Sequence, residues 1–213
     1  RMASRRIARE ADAPAYDHGC QLLSEEADLT PATPWTHRLA TIAGTTTTDI
    51  TRRTRPVPVP RMNAPAAALL EGIDCTYATR VTRIDAHADS ITLHQDENHL
   101  GDFDALVITA PAPQSAELLD GAAPTIAARA RACTYDPNWT LMLERPSDDP
   151  LPFDAAHITN HPVAWLCHDN AKPARTTSPG PERWIAQFAP DFSRSTIDES
   201  PDDIPETLLA HPR

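Results

Sequence analysis

The chain has 213 residues, enough for one sizeable domain or two small ones, and its 40% hydrophobic and 23% charged residues are the balance of a globular protein. Thirty acidic against 19 basic residues leave a net charge of −11, the opposite of what phosphate contacts need, which excludes a general nucleic-acid binder. No apolar run approaches the roughly 20 residues that cross a bilayer, and 22 prolines against 6 glycines describe short elements with no Gly-rich phosphate loop.

The N-terminal RMASRRIARE is basic and polar with no apolar stretch behind it, so it does not read as a secretory signal. Position 1 is not Met, and the expectation is that the natural N-terminus lies upstream or was processed away. Tyr16 to Leu23 reads as a short strand entering a turn at Gly19. Thr41 to Arg55 is Thr-rich, which favours exposed strand or loop. In RPVPVPRM the prolines fall two apart rather than three, so the segment is an extended lead into a helix and not a polyproline ligand. That helix is expected from an N-cap at Asn63 through Leu70, ending near Gly72, with Pro65 tolerated in its first turn.

Four strands are then predicted, Ile73 to Tyr77, Val81 to Ala86, Ile91 to His94 and Phe103 to Thr109, the close spacing of the last three suggesting an antiparallel meander. The last, DALVITA, is nearly all apolar, as a strand buried on both faces would be, and it stops at Pro111, where PAPQSAELL opens a helix. From Cys133 onward, aromatic strands in CTYDPNWTLMLER, VAWLCHD and RWIAQFAP predict a second sheet, with helical pieces at Ser193 to Ile197 and Asp202 to Leu209. Cys20, Cys75, Cys133 and Cys167 form no CxxC pair, so reduced, mostly buried thiols and a cytoplasmic location are expected. His157 and His161 lie four apart in a β-like context beside Pro162, and no HExxH is present, so no metal site is expected. No GxSxG elbow supports a hydrolase.

Several strings, in order, resemble one family. RMASRR is similar to the tail of the GGR motif of flavin domains, YDHGCQ to a D-x-G-[AC]-Q segment, and PRMNAPAAAL to a P-G-M-N/S-A-L helix entry. TRVTRI, FDALVITAPAPQ, YDPNWTLML, VAWLCHDNAKP and ERWIAQFAPDFSR follow in the matching order. Together they resemble the renalase-like branch of the amine oxidase family, FAD-dependent oxidoreductases with a two-dinucleotide fold. The resemblance implies an α/β flavoprotein fold with a three-stranded β-meander and a mixed-sheet (α+β) substrate part. It implies a partial FAD-binding domain over 1–35 and 63–130, and a substrate domain over 36–62 and 131–213. The GxGxxG unit is expected before Arg1 and the closing flavin motif after Arg213. Arg61 stands where the family's helix entry carries glycine.

The resemblance further implies FAD held by Arg1, Ser4, Gly19, Gln21, Met62, Asn63, Val81 (through its main chain), Ala110 and Pro111. Trp139, Trp165 and Lys172 are candidates for the substrate pocket, the tryptophans weighed against plain core packing and Lys172 against a solvated loop. No catalytic acid–base pair is expected, because in such enzymes the cofactor carries the chemistry. The implied reaction is hydride transfer from a small dihydronicotinamide-type or amine-like substrate to flavin, with O₂ as acceptor. The alternative is an inactive flavoprotein remnant acting as a binding domain.

Overall fold

The computed structural model describes residues 2–6, 15–175 and 180–210. The chain forms two compact units, one of Arg1–Ile73 with Asp136–Arg213 and one of Asp74–Tyr135.

In the first unit, two-residue strands β1 (Arg5–Arg6) and β2 (Ala15–Tyr16) pair antiparallel. They are followed by a long hairpin, β3 (Ala32–Ala43) and β4 (Thr46–Pro58), whose turn uses Gly44 at φ +59°. The Thr-rich stretch is therefore strand, and Pro56 and Pro58 are tolerated because β4 is an edge strand. Helix α1 (Ala64–Leu69) follows, with Asn63 in the N-cap position, though its side chain makes no cap bond. After the second unit come β8 (Thr140–Arg145), β9 (Ala155–Thr159), β10 (Val163–His168) and β11 (Glu182–Phe188), then helices α4 (Pro190–Ser195) and α5 (Ile204–Ala210). These strands join the hairpin in one six-stranded mixed sheet, order β4-β3-β9-β10-β11-β8, in which β3 runs parallel to β9 and every other pair is antiparallel. Strand β9 is absent from the sequence reading because AAHIT has neither an aromatic residue nor clear alternation.

Alternation divides the sheet. One face carries Ala40, Ala156, Leu166, Ala186 and Phe188, and is covered by Phe192 of α4 and Ile204 of α5. The other carries Trp35, Val57, Ala155 and Cys167, covered in part by Leu22. The stretch expected as a strand over 16–23 is strand only to Tyr16; beyond it the chain bends across this second face, with Asp17 and Gln21 buried.

In the second unit, β5 (Arg83–Ala86), β6 (Ile91–Gln95) and β7 (Asn98–Phe103) form the expected antiparallel meander, and α2 (Ala112–Leu119) packs with α3 (Pro124–Arg131). Two expectations are corrected. Ile73 to Tyr77 is not a strand; Ile73 and Tyr77 are largely exposed. The third meander strand is Asn98–Phe103, not 103–109, because the chain turns at Asp96 (φ +52°) instead of at Gly101, which lies within the strand. Residues 104–110 consequently form no strand, although Leu106, Ile108 and Ala110 line an apolar groove of about 830 Å³ while Val107 is 85% exposed. The cause is pairing: a strand buried on both faces needs neighbours on both edges, and among the described residues none lies alongside. Val107→Asp is therefore expected to change unfolding free energy by less than about 0.5 kcal/mol. A loss of several kcal/mol in urea denaturation would mean that this position is buried.

The four cysteines are unpaired, but only Cys167 is buried and Cys133 is exposed, which corrects the expectation of mostly buried thiols. Among the described residues no helix is long and apolar enough to cross a membrane.

Candidate functional site

Side chains far apart in sequence converge at Asp17. Its carboxylate accepts hydrogen bonds from the Ser4 hydroxyl (2.6 Å) and the Met62 backbone N–H (3.1 Å), and is paired with the Arg175 guanidinium. Lys172 Nζ lies 3.5 Å from the same carboxylate, and donates to Asp169 Oδ1 at 2.7 Å and to Gln21 Oε1 at 2.9 Å. Gln21 Nε2 in turn donates to the backbone carbonyls of Asp17 and Gly19. Arg175 also donates to the carbonyls of Pro58 (3.1 Å) and Pro60. The cluster thus ties together the segment after β2, the turn before α1 and the loop after β10. A short 3₁₀ turn, Asp169–Ala171, makes this possible by setting Lys172 three residues from Asp169 on the same side.

Two carboxylates and two cations share a space closed to water, with Asp17, Asp169 and Lys172 each 2% exposed or less. Burial alone would raise the Asp17 carboxyl, but Lys172 and Arg175, helped by the Ser4 and Met62 hydrogen bonds, outweigh it and hold it below the usual carboxylate range. Burial would likewise lower Lys172, yet the Asp169 and Asp17 carboxylates beside it keep its ammonium above its ordinary value. The Cys167 thiol is itself pushed up to about 12 by burial, so it stays neutral and the two carboxylates are the charges Lys172 answers. Tyr16 is also pushed up to about 12, by burial and then by the Glu144 carboxylate. Asp17 and Lys172 therefore both stay charged through neutrality. The cluster holds structure; it does not move protons.

On the sheet face beneath, Gln187 Nε2 donates to the Gly19 carbonyl at 2.7 Å, and Trp165 is the cross-strand partner of Gln187. Two buried polar atoms of neighbouring residues, Nδ1 of His18 and Nε1 of Trp165, have no hydrogen-bond partner among the described residues. The Trp165 ring lies edge-on to His157 with centroids 4.5 Å apart.

The structure thus brings together Ser4, Gly19, Gln21, Met62 and Lys172 from among the residues nominated by sequence. Lys172 is buried rather than solvated, and Gln21 has both ends of its amide bonded within the protein. Asn63 is nearby in sequence but exposed. Trp139 and Trp165 do not meet: Trp139 packs against Phe188 and Phe192 on the helix-covered face, Trp165 against Trp35 and Cys167 on the other. Val81, Ala110 and Pro111 belong to the second unit, where the Ala110 and Pro111 carbonyls accept from Ser115 at the entry of α2. Arg1 lies outside the described residues. Asp17, Asp169 and Arg175 were not singled out by sequence, although Asp17 stands within YDHGCQ and the Asp169–Lys172 spacing within DNAK was a readable signal.

The arrangement defines an α/β protein with a mixed six-stranded sheet and a separate three-stranded meander unit. No family model matches the chain. Among solved structures it is similar to that of a protein described as "Putative protoporphyrinogen oxidase" from Exiguobacterium sp. 255-15, with a TM-score of 0.52 and 13% identity over 73% of this chain. The matched region spans 35% of that protein's length. At this identity the likeness concerns the fold alone.

Proposed function

We propose that this chain belongs to an FAD-dependent oxidoreductase of the renalase-like, amine oxidase type. The observation that carries the proposal is the convergence at Asp17. Ser4, Gly19, Gln21 and Met62 were nominated from three separate strings by resemblance to that family, and they share one buried cluster in the folded chain. The fold likeness to a protein described as an oxidase supports the same reading.

The residues fit such a group in a particular way. The atoms of His18 and Trp165 that lack a partner among the described residues are polar groups of the kind a heteroaromatic ring edge satisfies. His18 precedes Gly19 in the chain, and Trp165 is the register partner of Gln187, which bonds the Gly19 carbonyl. When bound, FAD supplies the two-electron acceptor chemistry, with O₂ as terminal oxidant. The chain's own contribution is positional: the charge cluster fixes the backbone through Gly19, and Trp165 with His157 forms an aromatic wall beside it. The division into flavin-binding segments (1–35, 63–130) and substrate-binding segments (36–62, 131–213) belongs to this proposal. So does a small substrate of dihydronicotinamide or amine type.

The test is turnover. Purified protein supplied with FAD, air and reduced nicotinamide or a small amine is expected to release hydrogen peroxide in proportion to substrate consumed. Peroxide release at the rate of free FAD alone would leave the binding-domain reading in its place.

A further inference from the structure

We infer that Lys172 is a positioning residue, which sets the backbone at Gly19 for its ligand through Gln21 without touching that ligand. This rests on the flavin reading above.

Four observations lead to it. The Lys172 side chain is closed to solvent, so its ammonium cannot meet a substrate anion directly. Its three N–H donors have three acceptors in range: Asp169 Oδ1 at 2.7 Å, Gln21 Oε1 at 2.9 Å and Asp17 Oδ2 at 3.5 Å. By taking the Gln21 oxygen, Lys172 fixes which end of that amide points back along the chain. The amide nitrogen must then donate to the carbonyls of Asp17 and Gly19, which closes the turn between them. Gln187, reaching from β11, takes the Gly19 carbonyl from the sheet side at 2.7 Å. The Gly19 carbonyl is therefore held from two directions, one leading to Lys172 and the other to the sheet. Between them His18, Gly19 and Cys20 remain only half-buried, and His18 Nδ1 has no partner among the described residues.

The cation alone does not explain this geometry. Arg175 pairs with Asp17 and Lys172 with Asp169, and those two pairings balance the buried charges without any bond to Gln21. What Lys172 adds is a charge-assisted bond to a neutral amide, the strong type of hydrogen bond, spent on the orientation of Gln21. A residue one step removed from a ligand can govern it as strongly as a contact does, because misplacement of the contacting group is costly.

The test separates position from charge. The double variant K172M/D169L removes one cation and one carboxylate together, leaves the Asp17–Arg175 pair, and deprives Gln21 of its donor. A second variant, Q21L, breaks the same link and keeps every charge, so that it answers the question where the double variant fails to fold. FAD is titrated into wild type and both variants, followed by quenching of flavin fluorescence and by the shape of the flavin's visible absorption, with circular dichroism as the folding control. Both variants are expected to bind FAD about tenfold more weakly, a change of roughly 1.4 kcal/mol, with the bound-flavin spectrum shifted toward that of free flavin. A role in stability alone would lower the melting temperature and leave the spectrum unchanged. Wild-type affinity and spectrum in a folded variant would overturn the role of Lys172 while the flavin reading stands. No binding by the wild type would overturn both.

Discussion

Asp17→Ala is expected to lower the unfolding free energy by about 3–5 kcal/mol, the cost of removing one partner from a buried ionic cluster. The loss exceeds that of an ordinary ion pair because of what remains. Lys172 and Arg175 keep their charges in a closed site, the Ser4 hydroxyl loses its acceptor, and the Met62 N–H is left buried without one. Exposed pairs such as Arg83–Asp85 contribute far less, since water already screens them. The sign of the pH dependence follows from the same geometry. The Asp17 carboxyl sits below the ordinary aspartate value of 3.8 in the folded chain. Its contribution is therefore fully present above that value and is lost as pH falls through the folded one. Asp154, held low against burial by its two-pronged bond to Arg38, acts in the same direction. Urea denaturation along a pH series should show wild-type stability falling in acid, with a shallower fall in Asp17→Ala. A loss under 1 kcal/mol together with an unchanged acid slope would mean that the cluster does not hold the fold.

Phe188→Ala is expected to cost about 3–5 kcal/mol through a different mechanism, the loss of packed surface and the cavity left behind. Phe188 is 1% exposed, stacks on Phe192 with centroids 5.1 Å apart, and sits with Val163 and Ile204 where α4 and α5 close over the sheet. Its backbone is also held, since the Phe188 N–H donates to the Trp139 carbonyl and its own carbonyl accepts from Asn138. The framework is thus rigid, and collapse into the vacated volume is limited. A cost below about 1 kcal/mol in denaturant unfolding would show that the helices are not anchored there. Unlike Asp17→Ala, this variant should leave the acid slope unchanged.

The elements that were legible are those written in local pattern. The meander shows as short β-rich runs with polar links, and α1 as an N-cap position with Pro65 and a terminal Gly72. The helix after Pro111, the aromatic strands β10 and β11, and β8 just after the aromatic Tyr135 and Trp139 were likewise visible. What failed was a matter of partners. DALVITA has the composition of a doubly buried strand, but composition cannot supply the neighbouring strands that make it one. The parallel pairing of β3 with β9 joins residues more than a hundred positions apart, and AAHIT carries no signal of its own. The Asp17 cluster was half legible. Its near members lie in strings that resemble one family, while Lys172 and Arg175, 155 and 158 positions away, are brought in only by the fold. A loop lysine reads as solvated until a buried acid is seen beside it.

The central claim is that the Asp17 cluster organises a flavin site, and titration of FAD into the purified protein tests it most directly. The account predicts saturable quenching of flavin fluorescence with a resolved, red-shifted visible band, both abolished in Asp17→Ala at a temperature where circular dichroism shows that variant still folded. Flavin fluorescence and absorption identical to those of free FAD at every protein concentration would contradict it.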